Sequence, residues 1–168
     1  HYLAGALDLP LNRVRVIKPH TGGSFGGRCG LIHGLEVMCS WLSRLTGRPV
    51  RMCFSREEDF MATETRHPMT IKMKTGATNA GIITANDVEI VSDVGGYGTH
   101  YIGVIADCLS TGVGLYKIPN YRFSATAVFT NKSPCGALRG YGNPQMNFAQ
   151  ESQMDMIAVK LGMDPLQL

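Results

Sequence analysis

Pro134-Cys135-Gly136-Ala137-Leu138-Arg139-Gly140-Tyr141-Gly142-Asn143-Pro144-Gln145 decides the architecture, because it joins two kinds of periodicity. Before it, Tyr121 to Thr130 reads as a strand. Behind it, Asn143-Pro144 reads as an N-cap followed by an N1 proline. The helix they open is expected to bury Phe148, Ala149, Met156, Ile157 and Leu161 and to stop at Gly162. The same order appears earlier in the chain. Arg13 to Lys18 reads as a half-exposed strand and Pro19 to Arg28 as a glycine-rich loop. Leu31, Leu35, Met38, Leu42 and Leu45 then recur at helical spacing until Gly47.

Between these loops, Pro49 to Phe54 reads as a strand, and Ser55-Arg56-Glu57-Glu58 has the form of a capping box. Met69 to Lys74 and Ile82 to Val91 read as strands joined in a hairpin through Asn79-Ala80-Gly81. Leu3 to Leu9 suggests a short helix ended by Pro10. Residues 92–120 are glycine-rich, with helical character around Val104 to Leu109. Strands in a row with two well-punctuated helices predict an α+β fold in one domain, residues 1–168. Its sheet is mixed or antiparallel, and each long helix follows a glycine-rich loop.

The 168 residues, 44% of them hydrophobic and 17% charged, suit a globular core. No apolar run reaches the roughly 18 residues that a spanning helix needs. With 16 basic residues scattered and a net charge of +3, a nucleic-acid footprint is not expected. Five cysteines without CxxC spacing argue against a disulfide scaffold and a zinc ribbon, and point to a reducing, cytoplasmic location. The chain opens at His1 without a leader pattern and ends in Leu166-Gln167-Leu168, so a piece of a longer polypeptide is expected.

Glycine-rich loops ahead of helices are suited to anions, because free amides and the positive helix end face the ligand. Turns that merely feed helices are the plainer alternative. Gly22 to Cys29 nearly fits a phosphate-binding loop, but Arg28 replaces the lysine and Cys29 the hydroxyl. Gly22-Gly23-Ser24-Phe25-Gly26 also matches a nucleophile elbow, with Asp93 and His100 as available partners. A hydrolase would need a buried parallel strand before Ser24, and Arg13 to Lys18 alternates instead. The histidines show no H-x-x-x-H spacing for a metal.

Taken together, the two loops resemble a known family. Gly22-Gly23-Ser24-Phe25-Gly26-Gly27-Arg28 resembles the GGxFGG(K/R) loop of the xanthine dehydrogenase/aldehyde oxidoreductase family of molybdenum hydroxylases. Arg139-Gly140-Tyr141-Gly142-Asn143-Pro144-Gln145 resembles that family's RG(F/Y)G-x-PQ loop. Four further blocks fit in order: Gly47 to Val50, Ser55 to Glu58, Thr65-Arg66-His67-Pro68, and Tyr116-Lys117-Ile118-Pro119-Asn120. The nearest likeness is to the molybdopterin-binding subunit of bacterial xanthine dehydrogenases.

The resemblance implies a piece of the molybdenum-cofactor-binding region, with Gly23, Phe25, Gly26, Gly27, Leu138, Arg139 and Gly140 around a molybdenum–molybdopterin cofactor, in a dinucleotide form. Phe25 and Arg139 would set backbone amides against the metal's own ligands. Tyr141 and Cys29 would face a heteroaromatic substrate of the xanthine or hypoxanthine kind, with aldehyde oxidation as the alternative. Iron–sulfur clusters and FAD would sit on partner domains or subunits. Cys29 stands where purine-oxidising animal members carry a hydrogen-bonding Glu, and a thiol cannot do that acid work. The Arg expected upstream of Tyr116 is missing from Val104 to Ser110, where Asp107 sits nearest. The family's catalytic Glu lies outside this stretch, so no catalytic residue is assigned and the chain alone is expected to be inactive. From another class, a non-catalytic module binding an anion or a partner would keep the same loops as turns.

Overall fold

A computed structural model describes residues 1–27, 29 and 34–168. Arg28 and Leu31, both named in the sequence reading, lie outside the described residues.

The chain enters through α1 (Tyr2–Ala6), a single 3-10 turn at Leu11–Arg13, α2 (Leu35–Thr46) and α3 (Arg56–Ala62). Gly47 ends α2 at φ 64°, a left-handed cap that glycine adopts without a Cβ penalty. Ser55 and Glu58 form the expected capping box: the Glu58 amide donates to Ser55 Oγ, and the Ser55 amide donates to Glu58 Oε2. Up to Ala62, Ala4 and Leu7 are the only buried residues among those described.

The core lies further on, around β1 (Met69–Ala77), β2 (Ile83–Gly95) and β3 (Tyr121–Phe129), in the spatial order β1-β2-β3. β1 and β2 form the expected antiparallel hairpin, with Ile71 opposite Ile90 and Met73 opposite Val88. β2 and β3 are parallel, with Val88 opposite Phe123. Parallel neighbours need a crossover, and α4 (Tyr101–Gly114) supplies it. The fold is thus α+β with a mixed sheet.

Period-two alternation in β2 buries Asn86, Val88, Ile90, Ser92 and Val94 on one face and turns Asp87, Glu89 and Val91 to the other. α4 and α5 (Asn143–Leu161) cover the first face. Val88, Ile90, Cys108 and Met146 form its centre, with Met69, Ile71, Met73, Tyr121 and Phe123 around them. Gly112 lets α4 sit close, since the Tyr121 hydroxyl and Met146 occupy the space of a side chain there. The outer face is charged, with Lys72 beside Glu89 and Arg122 beside Asp87. Exposed pairs of this kind add little stability.

The structure corrects four expectations. Arg13–Lys18 and Pro49–Phe54 join no strand. Alternation makes a strand only beside a sheet edge, and Val16 and Ile17 have none and stand 76% and 69% exposed. α5 buries Met146, Gln150, Met154 and Ala158, while Phe148 and Met156 are exposed and Ala149, Ile157 and Leu161 only half-buried. Its apolar residues lie on more than one face, and the sheet contact selects the i, i+4 row containing Met146. Finally, Gly142 is the N-cap of α5, and Asn143 begins the helix with its amide oxygen accepting from the Thr111 hydroxyl on α4. None of the described helices is long and apolar enough to cross a membrane.

Ile90 is fully buried and Val128 is 40% exposed. Ile90→Ala is expected to destabilise the fold by about 3 kcal/mol, and Val128→Ala by about 0.5 kcal/mol. Urea unfolding followed by circular dichroism checks the contrast; equal effects would place the core elsewhere.

Candidate functional site

The second glycine-rich loop, 134–142, is fastened from both sides before it turns. Glu64–Arg66 runs beside it as a short parallel bridge. Thr65 N–H donates to the Pro134 carbonyl at 3.0 Å, and Gly136 N–H donates to the Thr65 carbonyl at 3.0 Å. From the other side, Cys135 N–H donates to the Val94 carbonyl at the end of β2 at 3.1 Å. The Thr99 hydroxyl donates to the Cys135 carbonyl at 3.2 Å. Cys135, Gly136 and Ala137 are buried in consequence. Burial also pushes the Cys135 thiol's pKa up. Gly136 has no room for a Cβ, because the Glu64 carboxylate fills that space.

Side chains of the same Glu64–His67 segment then reach further along the loop. The Glu64 carboxylate accepts from Ala137 N–H at 3.3 Å. The Arg66 guanidinium donates to the Arg139 carbonyl at 2.7 Å, and Gln145 donates to the His67 carbonyl at 3.0 Å. Beyond Arg139 the backbone folds tightly, with Gly140, Tyr141 and Gly142 at φ 94°, 49° and 102°. Tyr141 N–H closes this turn on Leu138. Gly142 backs onto α4, where its carbonyl accepts from the Cys108 thiol at 3.4 Å. Desolvation raises that thiol's pKa to about 11, so it stays protonated and donates.

The first loop meets the second through main chain. Ser24–Gly27 is a turn closed by Gly27 N–H on the Ser24 carbonyl, with Phe25 at φ 53° and Gly26 at φ 97°. Arg139 N–H donates to the Phe25 carbonyl at 2.8 Å. The Arg139 guanidinium stands 5.6 Å from the centre of the exposed Phe25 ring, within cation–π range. Gly26 lies against the Ala137 carbonyl so closely that any side chain would collide with it.

The two loops enclose an open cleft of about 380 Å³. Phe25, Gly26, Cys29, Leu138, Arg139, Gly140 and Tyr141, all singled out from the sequence, line it. Gly23 and Gly27 do not: Gly23 underlies the Phe25 ring, and Gly27 closes the turn. The sequence reading had given the Arg139 amide a ligand, and the structure engages it with Phe25 instead. Among the described residues, the amides of Phe25, Gly26, Leu138 and Gly140 have no protein acceptor. These donors, three of them at positive φ (Phe25, Gly26 and Gly140), fit an anionic group with several acceptor oxygens.

Ala137 and His100 also line the cleft, and neither had been assigned to a ligand site. Only the two-step distance from Arg139 could have suggested Ala137. His100 is the N-cap of α4, its ring edge-on to Tyr141 at 6.0 Å, and its Nδ1 lies 3.9 Å from Glu64 Oε2. This removes the hydrolase arrangement. His100 faces Glu64, while Asp93 is held by Lys132, Thr130 and the Gly95 amide, which together draw its pKa down to about 2. Ser24 follows no strand. Among the described residues, no three His, Cys, Asp or Glu side chains group closely enough to hold a metal ion themselves.

Against known proteins, the sequence model of the molybdopterin cofactor-binding domain matches residues 1–168. The chain is 42% identical over 166 residues to the nicotinate dehydrogenase large molybdopterin subunit of Eubacterium barkeri, covering 99% of this chain and 39% of that protein. It is 38% identical over 164 residues to the xanthine dehydrogenase molybdenum-binding subunit of Escherichia coli O157:H7, covering 97% of this chain and 22% of that protein. Among solved structures, the aldehyde oxidoreductase of Desulfovibrio gigas superposes with a TM-score of 0.79 at 34% identity, over 88% of this chain and 16% of that one. The chain thus spans about two fifths or less of the length of these relatives.

Two tests of the site's construction follow. Gly26→Ala adds a Cβ against Ala137 at a left-handed φ, and is expected to destabilise the loop contact by about 2 kcal/mol. The readout is faster hydrogen exchange at the Arg139 amide; unchanged protection would show that the loops do not meet there. His67 is 1% exposed, and burial pushes its pKa below 6.5. The unfolded chain takes up that proton near pH 6.5. Stability from the neutral His67 is therefore full above this pH and is lost as pH falls below it. Urea midpoints should fall between pH 7.5 and 5 in the parent protein, and less steeply in His67→Asn.

Proposed function

This chain belongs to the molybdopterin cofactor-binding domain family, and from that premise we propose that it forms part of the cofactor-holding region of a molybdenum hydroxylase subunit. The observation that carries the reading is the cleft where the two loops meet, with unengaged amides of Phe25, Gly26, Leu138 and Gly140 around it. A molybdopterin group presents several anionic oxygens, and preorganised main-chain donors suit them. Gly23 and Gly27 shape the first loop so that Phe25 and Gly26 stay presented. When bound, the cofactor supplies oxygen transfer to an electron-poor carbon and takes up the electron pair released.

The chain's own residues position and exclude. Arg66 holds the Arg139 carbonyl, and the Arg139 amide, donating to Phe25, joins the two loops. Tyr141 and Cys29 line the part of the cleft assigned to substrate, which is a heteroaromatic ring. Two relatives point that way by name, one to nicotinate and one to xanthine, and the aldehyde oxidoreductase keeps the alternative within the same site. Burial, with Asp107, Cys29 and Glu64 nearby, raises the Tyr141 pKa, so its phenol remains neutral. No residue in this stretch is assigned as the reaction's base, and the chain alone is inactive. Iron–sulfur and FAD subunits or domains accept the electrons, and the assembly is cytoplasmic.

The test is metal analysis of the full-length subunit, expressed with its partners. The expected result is about one molybdenum per subunit, reduced at least ten-fold by Gly26→Val and unchanged by Val128→Ala. No molybdenum, in a host that loads a control enzyme, would instead identify a non-catalytic module whose loops are turns.

A further inference from the structure

One buried carboxyl group, that of Glu64, has no role in the proposed function. The Glu64 side chain is 1% exposed, and its Oε1 has no hydrogen-bond partner among the described residues. Its Oε2 accepts the Ala137 amide at 3.3 Å. A carboxylate buried this deeply is costly unless a cation faces it. The group placed to do so is His100, whose buried Nδ1 lies 3.9 Å from Glu64 Oε2 while its ring lines the cleft beside Tyr141. His100 also stands at the start of the 14-residue α4, which has no side-chain cap, so the helix's positive end lies at the same wall. Among the described residues the cleft lining contains no carboxylate, while His100, Arg139 and bare amides contribute donors.

We infer that His100, backed by Glu64, is a specificity-determining residue that selects aromatic ring substrates bearing a carboxylate. With such a ligand in place the His100 ring lies between two carboxyl groups, its Nδ1 toward Glu64 and its Nε2–H donating to the ligand. The other titratable or charged groups around the pair are His67 from Glu64's own segment, Asp107 on α4, and Cys29, Arg139 and Tyr141 on the loops. The inference rests on the reading of this cleft as the substrate and cofactor site, and it names the substrate's charge.

The probes are pyridine-3-carboxylate and pyridine-3-carboxamide, which share a shape and differ in charge. Their dissociation constants are measured by calorimetry at neutral pH on the full-length subunit with its partners, with molybdenum content determined on the same samples. The parent protein is expected to bind the carboxylate about ten-fold more tightly, as a charge-assisted hydrogen bond provides. His100→Gln and Glu64→Gln should each bring the two constants within about two-fold, with unfolding midpoint and molybdenum content retained. Glu64→Gln keeps an acceptor for the Ala137 amide and removes only the charge. A preference unchanged in both variants, a parent that favours the carboxamide, or binding of neither probe overturns the inference. Loss of molybdenum in His100→Gln with the preference intact would assign His100 to the cofactor and overturn it as well. Carboxylate preference in a parent that carries no molybdenum would support the inference while refuting the cofactor reading.

Discussion

The site depends on one piece of backbone pairing, the short bridge by which Glu64–Arg66 holds residues 134–136. Further fastenings of the second loop start from the same segment, and β2, Thr99 and α4 hold it from the other side. Once Thr65 is paired, Glu64 lies under Gly136 and Ala137, Arg66 reaches the Arg139 carbonyl, and the His67 carbonyl receives Gln145. The first loop is then located by the Arg139 amide. A peptide group is rigid and planar, so fixing the Arg139 carbonyl also orients the Gly140 amide of the same group. The cleft is therefore built from main chain positioned by the side chains of Glu64, Arg66 and Gln145 and by the Thr65 backbone, and none of the four lines the cleft.

That construction explains where glycine is required. At Gly26 and Gly136 the obstacle is space as much as conformation: a carbonyl oxygen lies against one and a carboxylate against the other. Any side chain at Gly136 would displace Glu64, and with it the carboxyl group facing His100. The dependence runs from loop glycine to buried carboxylate to the imidazole at the cleft wall. Exposed charges such as Lys72 with Glu89 belong to a different class, because solvent screens them and the sheet would form without them.

Much of this was legible in the sequence, for identifiable reasons. The hairpin, the Ser55 capping box and the Gly47 and Gly162 stops are local devices, decided within a few residues. The paired loops were legible because Gly22–Gly27 and Gly136–Gly142 each precede a helix. What failed needed knowledge of a partner surface. Val14 and Val16 alternate like a strand but meet no edge, and α5 carries apolar residues on several faces from which only the sheet selects. Glu64 and His100 went unnoticed as a pair because 36 positions separate them. Their meeting is created by the Thr65 bridge and the start of α4, which no spacing rule anticipates. The Arg139 amide was assigned outward for a similar reason, since its acceptor, Phe25, lies on a distant loop.

The same geometry bears on how firmly the cleft is held. Its second-loop wall is anchored to β2 and α4, which belong to the packed core. Its first-loop wall comes from a region where, up to Ala62, Ala4 and Leu7 alone are buried among the described residues. One hydrogen bond from Arg139, the guanidinium over Phe25 and the Gly26 contact join the two. A net gain of about 1 kcal/mol per hydrogen bond is small for fixing a loop with so little burial behind it. A ligand that accepts from Phe25 and Gly26 on one side and from Leu138 and Gly140 on the other would bridge both walls. It would add the cross-contacts that the polypeptide here lacks, and by linkage would stabilise the closed arrangement in proportion to its affinity. Binding of such a ligand and the joining of the two walls would be one linked equilibrium, with the Arg139–Phe25 bond as the part made by the chain itself.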